Sequence, residues 1–202
     1  MPRLSEETRA KRRHHILTSA WSCFSRDGFH ATSMDDVIAA SGMSAAAVYR
    51  YFRSKDELID ATAEVGIGLV RDIFVHILDL DPAPGPAETL TLIVGELRER
   101  TRHPDYDLSK LALQTWTETL RRPALNERTR TLYDESRGRL TELATRWQAA
   151  GQLSAGADPS SVAPVFAALM HGLIVCHHVA ADVESEELLS GLQALGTALD
   201  AR

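Results

Sequence analysis

Cysteine is nearly absent from this chain. Cys23 and Cys176 are its two cysteines, far apart, and no metal-ligand spacing surrounds either. This excludes a disulfide-stapled scaffold and a zinc finger, and both residues are expected to be reduced, half-buried thiols. Glycine and proline are also few, at 12 and 8 of 202 residues, and no stretch alternates apolar and polar with period two. An extended sheet is therefore excluded, and the abundant alanine and leucine favour an all-α fold. Neither a signal peptide nor an apolar run able to span a bilayer is expected, so a cytoplasmic protein with no membrane partner is anticipated. GxSxG, P-loop and GxGxxG motifs are missing, as is any acid pair at a compelling spacing, so no enzyme activity and no cofactor are expected. His171, His177 and His178 lie near Cys176, but adjacent helical residues point about 100° apart, which suits packed or solvated imidazoles better than one chelated ion.

Negative charge predominates, with 28 acidic against 22 basic residues and a net of −6. Residues 1–60 differ, with nine Lys/Arg against eight Asp/Glu. The bases cluster as Arg9, Lys11, Arg12, Arg13 and as Arg50, Arg53, Lys55. Phosphate attraction is set locally, within a Debye length of roughly 8–10 Å, so an acidic body does not exclude DNA binding by this segment.

The richest local signal lies between Thr32 and Glu57. Thr32 and Ser33 can cap a helix from Met34 to about Ala40, and Gly42 supplies the turn. Ser44 can cap a second helix reaching Tyr51, and the Ser54/Glu57 spacing is a capping box for a third. Val37, Ile38, Met43, Val48 and Phe52 are spaced so that two crossing helices share an apolar face. This is a helix-turn-helix pattern, whose second helix enters the DNA major groove.

The run Gly28 to Leu58 resembles the DNA-binding domain of TetR-family (tetracycline-repressor-like) transcriptional regulators. The marks are Gly28-Phe29, Thr32-Ser33, Gly42-Met43-Ser44, Val48-Tyr49-Arg50-Tyr51-Phe52 and Ser54-Lys55. It departs from the family at Ile38, where alanine is usual, and at Asp35, an acid where a base-reading or neutral residue is common. The resemblance implies that Ser33, Tyr49, Tyr51 and Lys55 bind the DNA backbone and that Ala45 and Ala46 face bases. Thr32, Ser44 and Arg50 complete the expected DNA-binding set, with Arg50 able to make a bidentate guanine contact.

Taken in order, Ser5 opens a first helix with Ile16, Ala20 and Phe24 on one face and Leu17 and Trp21 alongside, ending at Gly28. After the helix-turn-helix, a helix from Lys55 to about Leu80 carries a long apolar stripe and stops at Asp81-Pro-Ala-Pro-Gly-Pro. As a rod with Lys55 at one end and Phe74 along its length, it reads as a lever. Further helices are expected over about 86–101, 106–120, 123–150, 158–181 and 184–199, nine in all. The expected division is 1–55 for DNA binding and 56–202 for effector binding and dimerisation.

The segment Ser161 to His178 is apolar nearly all round and should be buried on more than one side. Ordinary core would explain part of that pattern. The resemblance implies that this helix and the last one pair with those of a second copy. Phe166, Gly172, Leu173, Leu188 and Leu192 are the expected homodimer contacts. Phe74, Leu97, Leu113, Trp116, Met170 and His171 are candidate walls of a largely apolar effector pocket, with His171 as the polar group. Together these residues predict a homodimeric repressor released from an inverted-repeat operator in double-stranded DNA by a small-molecule effector. An activator of the same family is the near alternative, and a helical enzyme or lipid carrier with a vestigial DNA-binding head the distant one.

Overall fold

The computed structural model describes residues 5–179 together with Glu187, Ser190, Gly191 and Ala194. Eight helices dominate these residues: α1 (Glu6–Ala31), α2 (Met34–Ser41), α3 (Ala45–Tyr51), α4 (Lys55–Leu78), α5 (Pro86–Thr101), α6 (Leu108–Thr119), α7 (Pro123–Ala149) and α8 (Pro159–Val179). Of the expected helix over 184–199 the described residues are Glu187, Ser190, Gly191 and Ala194, which are helical, while Leu188 and Leu192 lie outside them. Between α5 and α6 the chain forms a two-stranded antiparallel hairpin, β1 (Arg102–His103) with β2 (Tyr106–Asp107). A helix expected from Tyr106 therefore starts at Leu108 instead. Asp107 is its cap, with Oδ1 accepting from the Ser109 and Lys110 amides at 2.8 and 3.4 Å.

Compact packing does not follow the expected division after residue 55. One unit comprises Met1–Gly68 and Thr101–Thr129, the other Leu69–Arg100 and Arg130–Arg202, so α4 and α7 each contribute to both.

The first unit is built on the apolar face of α1. Ile16, Ala20 and Phe24 are fully buried, with Trp21 at their side. They meet Val37 of α2, Val48 of α3, Leu58 and Ile59 of α4 and Leu111 of α6 in one cluster. A fully buried side chain of this size contributes roughly 1.5–3 kcal/mol. The indole of Trp21 donates to Thr62 Oγ1 at 3.1 Å, so burial leaves its N–H satisfied.

The second unit packs the end of α4 (Ile73, Phe74, Ile77) against Leu90 and Ile93 of α5, Leu140 and Trp147 of α7, and Phe166 and Met170 of α8. Trp147 is 1% exposed, and its Nε1 donates to the Pro84 carbonyl at 2.7 Å, tying the proline-rich turn to the core. Arg146 donates to the Leu78 carbonyl at 3.0 Å, satisfying an acceptor that the end of α4 leaves open.

By length and composition α8 could cross a membrane, contrary to the expectation that no run would. Its Ala163, Phe166 and Met170 are buried in this core, so one side of the helix packs on the second unit.

Candidate nucleic-acid interface

The local sequence fixes the helix-turn-helix tightly. Ser33 and Asp36 form a reciprocal capping box: Ser33 Oγ accepts from the Asp36 amide at 3.2 Å, and Asp36 Oδ2 accepts from the Ser33 amide at 2.8 Å. The Ser33 hydroxyl also donates to that oxygen at 2.7 Å. These bonds to the Ser33 side chain and backbone hold the Asp36 carboxyl below its ordinary pKa. Gly42 turns the chain with φ 63° and ψ 12°, and its amide donates to the Ala39 carbonyl. His15 of α1 meets the Ser41 carbonyl at 2.8 Å through Nε2, bracing the turn from outside.

Ser44 caps α3 by accepting from the Ala47 amide at 3.3 Å. The helix turns Val48 inward and leaves Ala45, Ala46, Tyr49 and Arg50 exposed, with Tyr49 at 44%. Tyr51 is half-buried against the first core cluster. Phe52 is buried, and the Arg13 guanidinium lies 4.8 Å from its ring centroid. That cation–π contact fixes one base of the α1 cluster beside the end of α3. Chemically, the exposed face of α3 offers methyl groups, a phenol and a guanidinium, which are the groups that reach thymine methyls, phosphates and guanine edges.

Two expected DNA contacts are placed otherwise. Thr32 is 1% exposed, and its hydroxyl donates to the Gly28 carbonyl at 2.8 Å, so it serves the backbone of its own unit. Lys55 is half-buried, and its ammonium donates to the His30 and Thr32 carbonyls at 3.1 and 2.9 Å. The Ser54/Glu57 cap is also modified: Ser54 Oγ accepts from the Glu57 amide at 3.3 Å, while Glu57 reaches past it to the Arg53 amide at 2.7 Å.

The first helix was expected to end at Gly28, and the break falls there; what braces it was not legible. Gly28 breaks the helix with φ 84° and ψ 164°, a backbone region essentially confined to glycine. Three side chains of α6, nearly ninety residues away in sequence, meet the broken turn. Lys110 donates to the Ser25 carbonyl at 2.5 Å; Gln114 donates to the Phe24 carbonyl at 3.1 Å and accepts from the Phe29 amide at 2.8 Å. Glu118, itself buried, pairs with His30 at 3.1 Å. No local pattern could have found these partners.

The expected effector residues are divided between the units. Leu113 and Trp116 are half-buried on α6 in the first. Phe74, Leu97, Met170 and His171 belong to the second, where Phe74 and Met170 are buried in the core and Leu97 packs against it. The sequence reading missed Tyr133 of α7, which stacks on His171 with ring centroids 5.2 Å apart and bonds its hydroxyl to His171 Nε2. His171 Nδ1 meets the Ala167 carbonyl at 2.5 Å, which places its proton on Nδ1 and lets Nε2 accept from Tyr133. Burial pushes the Tyr133 phenol above its ordinary pKa.

Of the expected dimer contacts among the described residues, Phe166 turns inward, 8% exposed, with its ring 5.5 Å from that of Trp147. It belongs to the core of its own chain. Leu173 is half-buried and Gly172 exposed. The open face of α8 carries Val165, Ala168, Gly172, Val175 and Val179, successive residues three to four apart.

Comparison with known proteins agrees with this architecture. Residues 16–62 match the model of the bacterial regulatory proteins of the tetR family. Residues 86–201 match that of the BetI-type transcriptional repressor C-terminal region. The chain is 39% identical over 66 residues to the uncharacterized HTH-type transcriptional regulator YfiR of Bacillus subtilis (strain 168), covering 33% of this chain and 32% of that protein. It is 30% identical over 119 residues to the HTH-type transcriptional repressor Rv1474c of Mycobacterium tuberculosis, covering 52% of this chain and 60% of the relative. These matches span less than two thirds of either relative's length. Among solved structures, Salmonella enterica GusR is similar at 26% identity with a TM-score of 0.66, over 92% of this chain and 88% of that one. With the larger model spanning more than half of its residues and the helix-turn-helix matching at its head, this chain belongs to the TetR family of bacterial regulatory proteins, with a C-terminal region of the BetI-type repressor class.

Proposed function

We propose that this protein is a homodimeric transcriptional repressor that binds an inverted-repeat operator through α3 and leaves it when a small, largely apolar effector binds. The observation that carries the reading is the sorting of side chains on α3. Val48 is fully buried, while Ala45, Ala46, Tyr49 and Arg50 stand in solvent on a helix capped by Ser44. Ser33 and Tyr51 supply further hydroxyls for phosphates. Lys55 contributes charge near the start of α4, where free amides favour an anion.

Dimerisation is supported by the open face of α8, whose small and apolar residues suit the close approach of a second copy's helix; Leu173 borders that face. The effector site is assigned to the second unit, where Phe74, Leu97 and Met170 give apolar surface and the His171–Tyr133 pair a polar point of attachment. Leu113 and Trp116 of α6 are retained as secondary candidates. Effector and DNA need a coupling of only ~1–3 kcal/mol to change operator occupancy several-fold or more.

The test is selection of bound sequences from random double-stranded DNA, followed by a screen of the complex for small-molecule release. An inverted repeat with half-sites about one helical turn, ~34–36 Å, or a multiple of it apart is the expected product. A pool that yields no repeat, with affinity indifferent to salt, would overturn the reading.

A further inference from the structure

Helix α1 ends with open carbonyls because Gly28 interrupts it, and the same interruption turns the Phe29 amide away from any helical acceptor. One side chain answers both needs. The Gln114 amide donates through Nε2 to the Phe24 carbonyl at 3.1 Å and accepts through Oε1 from the Phe29 amide at 2.8 Å. Phe24 and Phe29, the residues on either side of the break, are both buried, and their rings meet edge to face at 4.8 Å between centroids. Beyond the break the Thr32 amide and hydroxyl return to the Gly28 carbonyl, and Ser33 opens α2. The angle taken at Gly28 therefore sets where α2 starts, and α2 with its Gly42 turn sets α3.

We infer that Gln114 is a positioning residue for DNA recognition: its side-chain amide braces the break at Gly28 and thereby holds α2 and α3 in their binding orientation. The inference rests on the reading of the protein as a DNA-binding regulator. Only a group with one donor and one acceptor on a single planar head can serve both Phe24 and Phe29. Leucine fills similar space and supplies neither. A protonated glutamic acid supplies both, whereas an ionised one sets an acceptor against the Phe24 carbonyl oxygen.

The experiment measures operator affinity of the full-length chain, with Gln114→Leu and Gln114→Glu beside the wild type, using the sequence that the wild type selects. Gln114→Leu is expected to weaken binding about five-fold or more, and to speed hydrogen exchange of the Phe29 amide in the protein without DNA. For Gln114→Glu, the ratio of its Kd to that of the wild type should fall as pH is lowered from about 8 to about 5.5, as the new carboxyl takes up its proton. His30 and Glu118 stand nearby in both proteins, and taking the ratio at each pH cancels the pH dependence that the two share. Binding regained with acid while the folded fraction stays constant over that range separates positioning from a purely structural role. Unchanged affinity and Phe29 exchange in Gln114→Leu overturn the inference. If that variant does not fold, the Gln114→Glu ratio decides alone: a fall supports the brace and a flat profile overturns it. Wild-type protein that selects no DNA overturns the regulator reading itself, and the positioning role with it, which separates the two failures.

Discussion

The Lys55 ammonium lies 2.9 Å from the Thr32 carbonyl, joining the first residue of α4 to the cap of α1. Its second bond, to the His30 carbonyl, means that this lysine supports the fold of the head besides adding charge to it. Lys55→Ala should therefore lower stability without any DNA present, by about 1.5–3 kcal/mol, since hydrogen bonds to a charged donor are worth about that much. Urea unfolding of the two proteins checks this, and equal midpoints with equal slopes would assign Lys55 to DNA alone. The same substitution should weaken binding to all sequences alike, because phosphates carry no sequence.

Arg50 and Tyr49 are both exposed on α3 but should behave differently. Arg50→Ala is expected to relax preference at a single base position, with about 1–3 kcal/mol of discrimination lost there. Tyr49→Phe should shift affinity for all sequences together. Competition with a set of single-base operator variants distinguishes them, and a uniform loss in Arg50→Ala would remove its assignment to a base.

The open face of α8 predicts a second copy as its cover. Replacing both Ala168 and Val175 by glutamate should give a monomer by sedimentation, because desolvating unpaired carboxylates costs several kcal/mol. Phe166→Ala should behave otherwise: its ring is part of the core beside Trp147, so a loss of about 3–5 kcal/mol of stability is expected. A double glutamate variant that still sediments as a dimer would move the interface off this face.

Acid should erase one specific cap. Bonding to Ser33 lowers the folded-state pKa of Asp36, so its contribution is present at neutral pH, above the ordinary value of 3.8, and is lost as pH falls through the lowered folded value. Asp36→Asn should therefore melt below the wild type at neutral pH, with the difference closing in acid below 3.8. A difference that persists there would mean that the charge of Asp36 is not what the cap uses.

Much of the head was legible because its determinants are short-range. Ser44, Gly42 and Ser54 cap or turn the chain within three residues of themselves, and the Ser33-x-x-Asp36 spacing was there to be read as well. Val48 and Phe52 were placed in the core by helical spacing, and both are buried. The burial of Thr32 was not legible, because a hydroxyl beside a helix start reads as a cap or a contact while its burial depends on the fold of the whole unit. The packing of Phe166 beside Trp147 was not legible for a related reason: on a helix apolar nearly all round, periodicity cannot say which side meets the chain's own core.

By itself the sequence determined the helical class, the helix-turn-helix with its caps, and the family, because hydrophobic period, capping and turn chemistry act within a few residues. Tertiary structure alone decided that Lys110, Gln114 and Glu118 meet the end of α1, that Tyr133 pairs with His171, and which stripe of α8 stays open. Those contacts join residues 38 to 90 positions apart. No local propensity encodes them, since each forms only when packing of two apolar faces has fixed the helices that carry its partners.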